Sequence, residues 1–458
     1  MVSGTGDGGG NGRHCWRDHR QHSVVTGTND TRILFLVKLT GGRLTRMLIQ
    51  QGLIENATQP QDIRIEDGKF TAIADHLTPQ DHEQVIDATG KLILPPFVDP
   101  HVHLDSTMTA GDPEWNQSGT LFDGIRIWSE RKKTLSIEDV KTRARQALEL
   151  QASHGVQFVR SHVDVTDPDL TALKALIEVR DEVKDFIELQ LVAFPQEGIL
   201  SFPHGKELME QAAKLGVDVI GAIPHFEFTR EYSVASLHFA VELAQKYGKL
   251  VDAHCDEIDD PASRGLETLA TLALETGLGD QVTASHTTAM GSYNNAYAYK
   301  LMRLLQMSHI NMISNPLINT HLGGRFDTYP KRRGLTRVKE LNEAGVNVAF
   351  GEDDIKDPWY PMGDGNMLDA LHMGIHVTQM MGYDDILNSY QFVTTHGAKA
   401  MHVTDHYGLT VGKPANLVVM NNDNFYNALN QRSEVLYSIH QGRVIVNTDP
   451  KQVHLHLN

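Results

Sequence analysis

The chain carries 24 histidines among 458 residues, and several stand where short apolar stretches end. Asp99-Pro100-His101-Val102-His103 sets two imidazoles two residues apart. On a strand, residues i and i+2 point to one face, so both rings can reach a single ion. His254 ends a second stretch in His254-Cys255-Asp256-Glu257, and His286 ends a third in Ser285-His286-Thr287. Asp353 ends a fourth in Gly351-Glu352-Asp353-Asp354. Two solvated histidines would explain a lone His-x-His; recurrence at the same place in successive units is what singles out this set. Imidazoles and a carboxylate suit a borderline divalent ion such as zinc or ferrous iron. Three histidines and one aspartate leave room for a water, whose pKa the ion lowers so that hydroxide is available at neutral pH. Glu257, three residues beyond His254, is placed to pass protons between that water and a substrate.

The elements that carry these residues follow a regular rhythm. Eight strand patterns are predicted at Phe97–Leu104, Val156–Val163, Leu189–Phe194, Val217–Ile223, Leu250–His254, Gln281–His286, Ile310–Asn315 and Val346–Gly351, most of them trailed by a helical segment. One helix opens at Ser136 with Asp139 three residues on, a capping arrangement. Another spaces Val234, Leu237, Val241 and Ala244 on one face and stops at Gly248. Such alternation predicts an α/β fold, a distorted (β/α)8 TIM barrel over residues 96–404, whose active residues gather at the C-terminal strand ends. Met47–Leu53, Asp62–Ile65, Phe70–Ile73 and Lys91–Val98 read as strands, with an Asp67-Gly68 turn between the second and third. Asn416–Met420, Glu434–His440 and Arg443–Val446 read as strands at the other end. Together they predict a small discontinuous β-sandwich domain from residues 47–95 plus 405–458. Residues 1–46 show neither period and are expected to be disordered, or an extension from an upstream start codon.

Composition narrows the partners. The 41 basic and 58 acidic residues give a formal net charge of -17, which repels phosphate backbones and argues against a nucleic-acid polymer. The two cysteines, Cys15 and Cys255, form no disulfide framework and no thiolate zinc site. No apolar run is long enough to span a bilayer, and no membrane partner is expected. The expected location is the cytoplasm.

Longer motifs now carry a family resemblance. They include Pro95-Pro96-Phe97-Val98-Asp99-Pro100-His101-Val102-His103, Trp115-Asn116-Gln117-Ser118-Gly119 and Phe194-Pro195-Gln196-Glu197-Gly198. Pro224-His225-Phe226-Glu227, Gly324-Arg325-Phe326-Asp327-Thr328-Tyr329-Pro330 and Asp357-Pro358-Trp359-Tyr360 belong to the same pattern. From about Met47 to the C-terminus the chain resembles the bacterial cytosine deaminases of the amidohydrolase superfamily. The resemblance implies hydrolysis of cytosine to uracil and ammonia, in pyrimidine salvage. It implies one divalent ion, Fe2+ or Zn2+, held by His101, His103, His254 and Asp353. It implies Glu257 as proton shuttle, His286 as the group orienting water and Asp353 as acceptor of the water's proton. Gln196 would bind the amide edge of the ring, Leu121 and Trp359 would shape the pocket, and Asp354 would stand near the exocyclic amine. A small-molecule substrate and a homo-oligomer are expected with it.

The pattern has one departure: Glu352 stands where the family has histidine before the aspartate pair. Glu352 either faces away, because strand neighbours alternate, or sets a carboxylate beside the site; Lys356 would pair with it if the segment turned helical. His162 and Asp164 are either mouth residues or core, and His225 is an even choice between pocket and packing. Cys255, Met373, Met380 and Met381 read as filler, the methionines on a helix, and Lys331-Arg332-Arg333 as a solvated loop or an anion site. No lysine follows the fourth barrel strand to bridge two ions, which disfavours a ring-opening amidase. The remaining rivals are a deaminase of isocytosine, 5-methylcytosine, creatinine or a triazine, and a non-catalytic binder.

Overall fold

The computed structural model describes residues 46–457; the expectation of an unordered N-terminal segment falls almost wholly outside them. Strand β1 (Arg46–Ile54) pairs antiparallel with β2 (Gln61–Glu66), which turns into β3 (Lys69–Ala74). Asp67 and Gly68 take φ of 48° and 80°, as a tight hairpin requires of both central residues. β4 (Gln84–Asp87), absent from the sequence reading, lies parallel to the start of β1, and β5 (Leu92–Leu94) pairs with its end.

The single strand expected over Lys91–Val98 is two strands in two different sheets. Pro95 and Pro96 supply no N–H to a ladder, so the chain leaves the small sheet after Leu94 and enters the barrel at β6 (Phe97–Val102). Helices α1 (Leu121–Lys132) and α2 (Ile137–Ser153) lead to β7 (Val156–Asp164). Then come α3 (Thr171–Val183), β8 (Glu188–Phe194), α4 (Gly205–Leu215), β9 (Val219–Ala222), α5 (Arg230–Tyr247) and β10 (Leu250–Cys255). The second half runs α6 (Gly265–Thr276), β11 (Val282–His286), α7 (Asn295–Ser308), β12 (Asn311–Ser314), α8 (Pro316–Leu322), α9 (Val338–Glu343), β13 (Val348–Phe350) and α10 (Met367–Val377).

These eight strands form one parallel sheet in chain order from β6 to β13. β13 meets β6 at a single bridge, Val102 to Asp353. Two backbone bonds of 2.8 Å, Asp353 N–H to the His101 carbonyl and His103 N–H to the Asp353 carbonyl, hold that seam. The fold is therefore a distorted (β/α)8 barrel. Its helix signals are as expected: Ser136 Oγ accepts the Asp139 N–H at 3.2 Å, and Gly248 ends α5 with φ 63°. The chain closes with β14 (Leu417–Met420), β15 (Val435–His440) and β16 (Arg443–Asn447). They complete a second, mixed sheet in the order β16-β15-β14-β5-β1-β2-β3. Its two halves share one core, with Met47, Ile63 and Phe70 from the N-terminal strands against Leu417 and Ile439 from the C-terminal ones.

Candidate active site

His101 sits on β6 with His103 just beyond it, His254 lies on β10, His286 ends β11, and Asp353 follows β13. All five side chains are buried. His103 Nε2 and His254 Nε2 stand 3.0 Å apart, and Asp353 Oδ1 lies 3.3 Å from His101 Nε2 and 3.4 Å from His103 Nε2. One donor atom from each of His101, His103, His254 and Asp353 falls within 4.8 Å of the others. His101 Nε2 is a buried nitrogen without a hydrogen-bond partner. Three imidazole nitrogens and a carboxylate oxygen converging on one buried point fit a divalent ion and would repel a proton-rich alternative.

The set is oriented from behind. His101 Nδ1 lies 2.9 Å from Ser285 Oγ, and Ser285 donates to Asp252 Oδ1 at 2.6 Å. Asp252 Oδ2 in turn accepts from Arg160 Nη1 at 2.9 Å. This relay fixes the ring so that Nε2 faces the cluster, as outer partners of metal-binding histidines do. Sequence reasoning assigned no role to Ser285, Asp252 or Arg160. His162 stacks on His101 with ring centroids 3.9 Å apart, so it is a packing residue of the centre rather than a mouth residue. His101, His162 and Asp252 also group closely, but both Asp252 oxygens are already engaged, one by a guanidinium, which disfavours a cation there.

On the other side of the cluster lie the groups suited to moving protons. Glu257 Oε1 is 3.2 Å from His286 Nδ1, and His286 Nδ1 is 3.6 Å from Asp353 Oδ2. Asn315 donates to Asp353 Oδ2 at 3.0 Å, and Asn319 Nδ2 is 3.0 Å from His286 Nδ1. These two asparagines were also missed. Burial, and secondarily the Asp353 charge, pushes the Glu257 carboxyl well above its ordinary range. Burial pushes the His286 and His254 imidazoles well below their ordinary value. Asp353 is held low by His286 and His101 against the opposing effect of burial. His286 and Asp353 take φ of 67° and 73°. Left-handed backbone at non-glycine residues costs of order 1–3 kcal/mol and tends to gather at functional sites. His225, near the end of β9, accepts the Glu257 N–H at Nδ1 over 3.3 Å; it supports Glu257 from behind.

Beside the cluster, α1 meets the segment after β13. Trp359 Nε1 donates to the Leu121 carbonyl at 3.3 Å, and the indole lies 6.4 Å from the His103 ring at 29°. Asp357 organises this segment, accepting the Trp359 and Tyr360 N–H groups at 2.9 and 3.0 Å and the Ser106 hydroxyl at 2.8 Å. Asp354 is buried nearby, its carboxyl pushed up by burial and by Asp357. Gln196 follows β8 and is buried. Its neighbour Glu197 accepts from Lys132 Nζ at 2.7 Å, and Lys132 also donates to Asp164 Oδ2 at 2.9 Å. Asp164 therefore serves a buried ion-pair network that ties α1 to β7 and to the Gln196 turn.

Glu352 faces away from the converging nitrogens. Its Oε1 accepts the Asp364 and Gly365 N–H groups at 3.1 and 3.0 Å, while Oε2 is buried without a partner. Lys356 is exposed, and the segment carrying it is not helical, so the suggested pairing does not form. Burial and the neighbouring Asp99 push the Glu352 carboxyl well above its ordinary value. A carboxyl raised in this way carries no penalty below the unfolded-state value and an increasing one as pH rises above it. Glu352→Gln is therefore expected to melt above the parent by a margin that widens from pH 5 to pH 8; thermal scans across that range check it, and a constant margin would contradict it.

Smaller expectations resolve as follows. Cys255 and Met380 are buried and Met373 is partly buried on α10, but Met380 and Met381 both lie beyond the helix, which ends at Val377, and Met381 is half exposed. Arg332 and Lys331 hold their own loop, Arg332 through Asp327 at 2.6 Å and Lys331 through the Gly324 carbonyl at 2.8 Å. Among the described residues no helix is long and apolar enough to cross a membrane.

The chain is similar to a 5-methylcytosine deaminase from Klebsiella pneumoniae, solved with 5-fluorocytosine, at 51% identity and a TM-score of 0.88, covering 89% of this chain and 99% of that one. It is 29% identical to N-isopropylammelide isopropyl amidohydrolase of Pseudomonas sp. (strain ADP) over 79% of this chain and 87% of the relative. Pterin deaminase of Rhizobium rhizogenes (strain K84 / ATCC BAA-868) is 27% identical over 84% of this chain and 87% of its own length. Residues 84–446 match the amidohydrolase family, and with the barrel, the converging donor atoms and these relatives in view, the chain belongs to that family.

Proposed function

We propose that the chain hydrolyses the exocyclic amine of a cytosine-type base, converting cytosine to uracil and ammonia in pyrimidine salvage, with 5-methylcytosine to thymine as the second reaction of the same site. One observation carries the reading: a four-donor cluster suited to one divalent ion lies beside a buried carboxyl, Glu257, raised well above its ordinary range. The similarity to a 5-methylcytosine deaminase supports it, and favours keeping the 5-substituted base in view.

An ion held by His101, His103, His254 and Asp353, Fe2+ or Zn2+ on donor chemistry, would lower the pKa of a water and polarise the reacting carbon. The remaining work falls to the chain. Gln196 offers its amide to the amide edge of the ring and fixes which carbon faces the cluster. Leu121 and Trp359 form the wall against which the flat ring lies and keep bulk water out. His286 and Asp353 flank the attacking water and direct its lone pair; Asp353 accepts its proton. Glu257 gives a proton to the ring nitrogen as the carbon becomes tetrahedral, and recovers one from the added oxygen. The proton held by Asp353 passes to the amine, beside which Asp354 stands, and the amine leaves as ammonia when the C–N bond breaks and the C=O bond forms. Each transfer of this kind is worth roughly 10²–10⁴-fold.

A deaminase of another small cyclic amidine is the alternative that the N-isopropylammelide relative keeps open. Ammonia release from cytosine, 5-methylcytosine, isocytosine and creatinine, by protein loaded separately with iron and zinc, decides between them. Cytosine or 5-methylcytosine should dominate with either ion; turnover of creatinine or isocytosine alone would move the assignment within the family.

A further inference from the structure

The chain of hydrogen bonds behind the cluster, from Arg160 through Asp252 and Ser285 to His101, runs in one direction only. All four side chains are buried. Arg160 has donors and no lone pair. It donates to Asp252 Oδ2 at 2.9 Å, to Gln190 Oε1 at 3.2 and 3.1 Å and to the Ala400 carbonyl at 2.9 Å. A buried guanidinium keeps its charge, and Asp252 supplies the opposite one, so both of its oxygens accept. Asp252 Oδ1 takes the Ser285 hydroxyl proton at 2.6 Å. Serine has one such proton, and it is committed there. Toward His101 Nδ1, 2.9 Å away, Ser285 Oγ is left to accept. The His101 proton is thereby held on Nδ1, and the lone pair of Nε2 is turned to the converging donors.

This relay works against a local pull. Asp353 Oδ1 lies 3.3 Å from His101 Nε2 and would accept a proton carried there. A ring protonated on Nε2 has no lone pair on that side to give an ion. Resting on the reading of His101, His103, His254 and Asp353 as donors to one ion, we propose that Asp252 is a positioning residue for metal loading. Acting through Ser285, it decides which nitrogen of His101 offers the lone pair, and it does so before the ion arrives. Asp252 itself is not among the four donors.

Zinc affinity of the metal-stripped full chain, read by competition with a chromophoric chelator, tests this without turnover. In Asp252→Asn the Arg160 donors hold the amide oxygen, which turns the NH2 group toward Ser285. The hydroxyl then accepts from the amide and donates to His101 Nδ1, and the ring's proton moves to Nε2. Zinc binding is expected to weaken about 10- to 100-fold, the usual scale for losing an outer partner of a metal-binding histidine. Ser285→Ala leaves the pair of Arg160 and Asp252 intact and should weaken binding by a similar factor; it decides the question alone if Asp252→Asn does not fold. Two-bond 1H–15N spectra of the metal-free parent should show His101 protonated at Nδ1, with the pattern reversed in Asp252→Asn. A merely structural role would lower the melting temperature of the metal-free variants while their zinc affinity stayed within twofold of the parent. That result, or a parent ring protonated at Nε2, overturns the inference and leaves the metal reading intact. A parent that takes up no zinc overturns that reading and this inference with it.

Discussion

Glu257→Gln is expected to lower kcat for ammonia release by about 10³-fold, within the range for loss of a positioned proton donor, while the protein keeps its full metal content. The amide preserves shape and the contact with Asn319, 3.5 Å away in the parent, but it cannot give a proton to the ring and take one back. Metal should stay because Glu257 is not among the four converging donors His101, His103, His254 and Asp353. Parallel assays of metal content and single-turnover rate check both halves. Full activity in this variant would transfer the proton-moving role elsewhere in the pocket, with Asp354 the next buried carboxyl in reach of the reaction.

Removal of the ion by chelation is expected to abolish turnover, with one equivalent of Zn2+ or Fe2+ per chain restoring it. His103→Ala should fail to recover under the same conditions, because it withdraws one of four donors. Reloading should also raise the melting temperature, since an ion that binds only the folded state adds about 4 kcal/mol at a thousandfold excess over Kd. Stoichiometry is the sharper measure. Glu257, His286 and Asp353 form a second close group, and uptake of two equivalents would recast Glu257 and His286 as ligands. Uptake of one keeps them as proton-handling groups.

The eight barrel strands and the groups at their ends were legible because both obey short-range rules. Apolar runs mark strands, and catalytic side chains in this architecture sit where those runs stop. Ser285, Asp252, Asn315 and Asn319 were not legible, since each is defined by a partner on another strand or loop. Asp252 lies two residues before His254, yet it serves His101, through Ser285 on β11. Nothing in local spacing announces that relay. The departure at Glu352 was visible, and strand alternation anticipated its direction; its actual partners, the backbone N–H groups of Asp364 and Gly365, lie in a loop that has no periodic signal. The strand expected over Lys91–Val98 failed for a physical reason also present in the sequence. Two consecutive prolines interrupt it, and the apolar residues on either side were read as one run.

The second sheet has a consequence for the order in which the molecule is made. Its central strand β5 is flanked by β1 on one side and β14 on the other, so the last strands to be synthesised complete a surface begun by the first. At the usual pace of translation, tens of seconds separate their emergence. Throughout that interval β5 presents an unpaired edge, and Ile93 lacks the cover that Val419 later gives it. The barrel can close on the ribosome, because its strands follow one another in sequence. The β-domain cannot: its N-terminal half waits for β14 to β16 to complete the sheet.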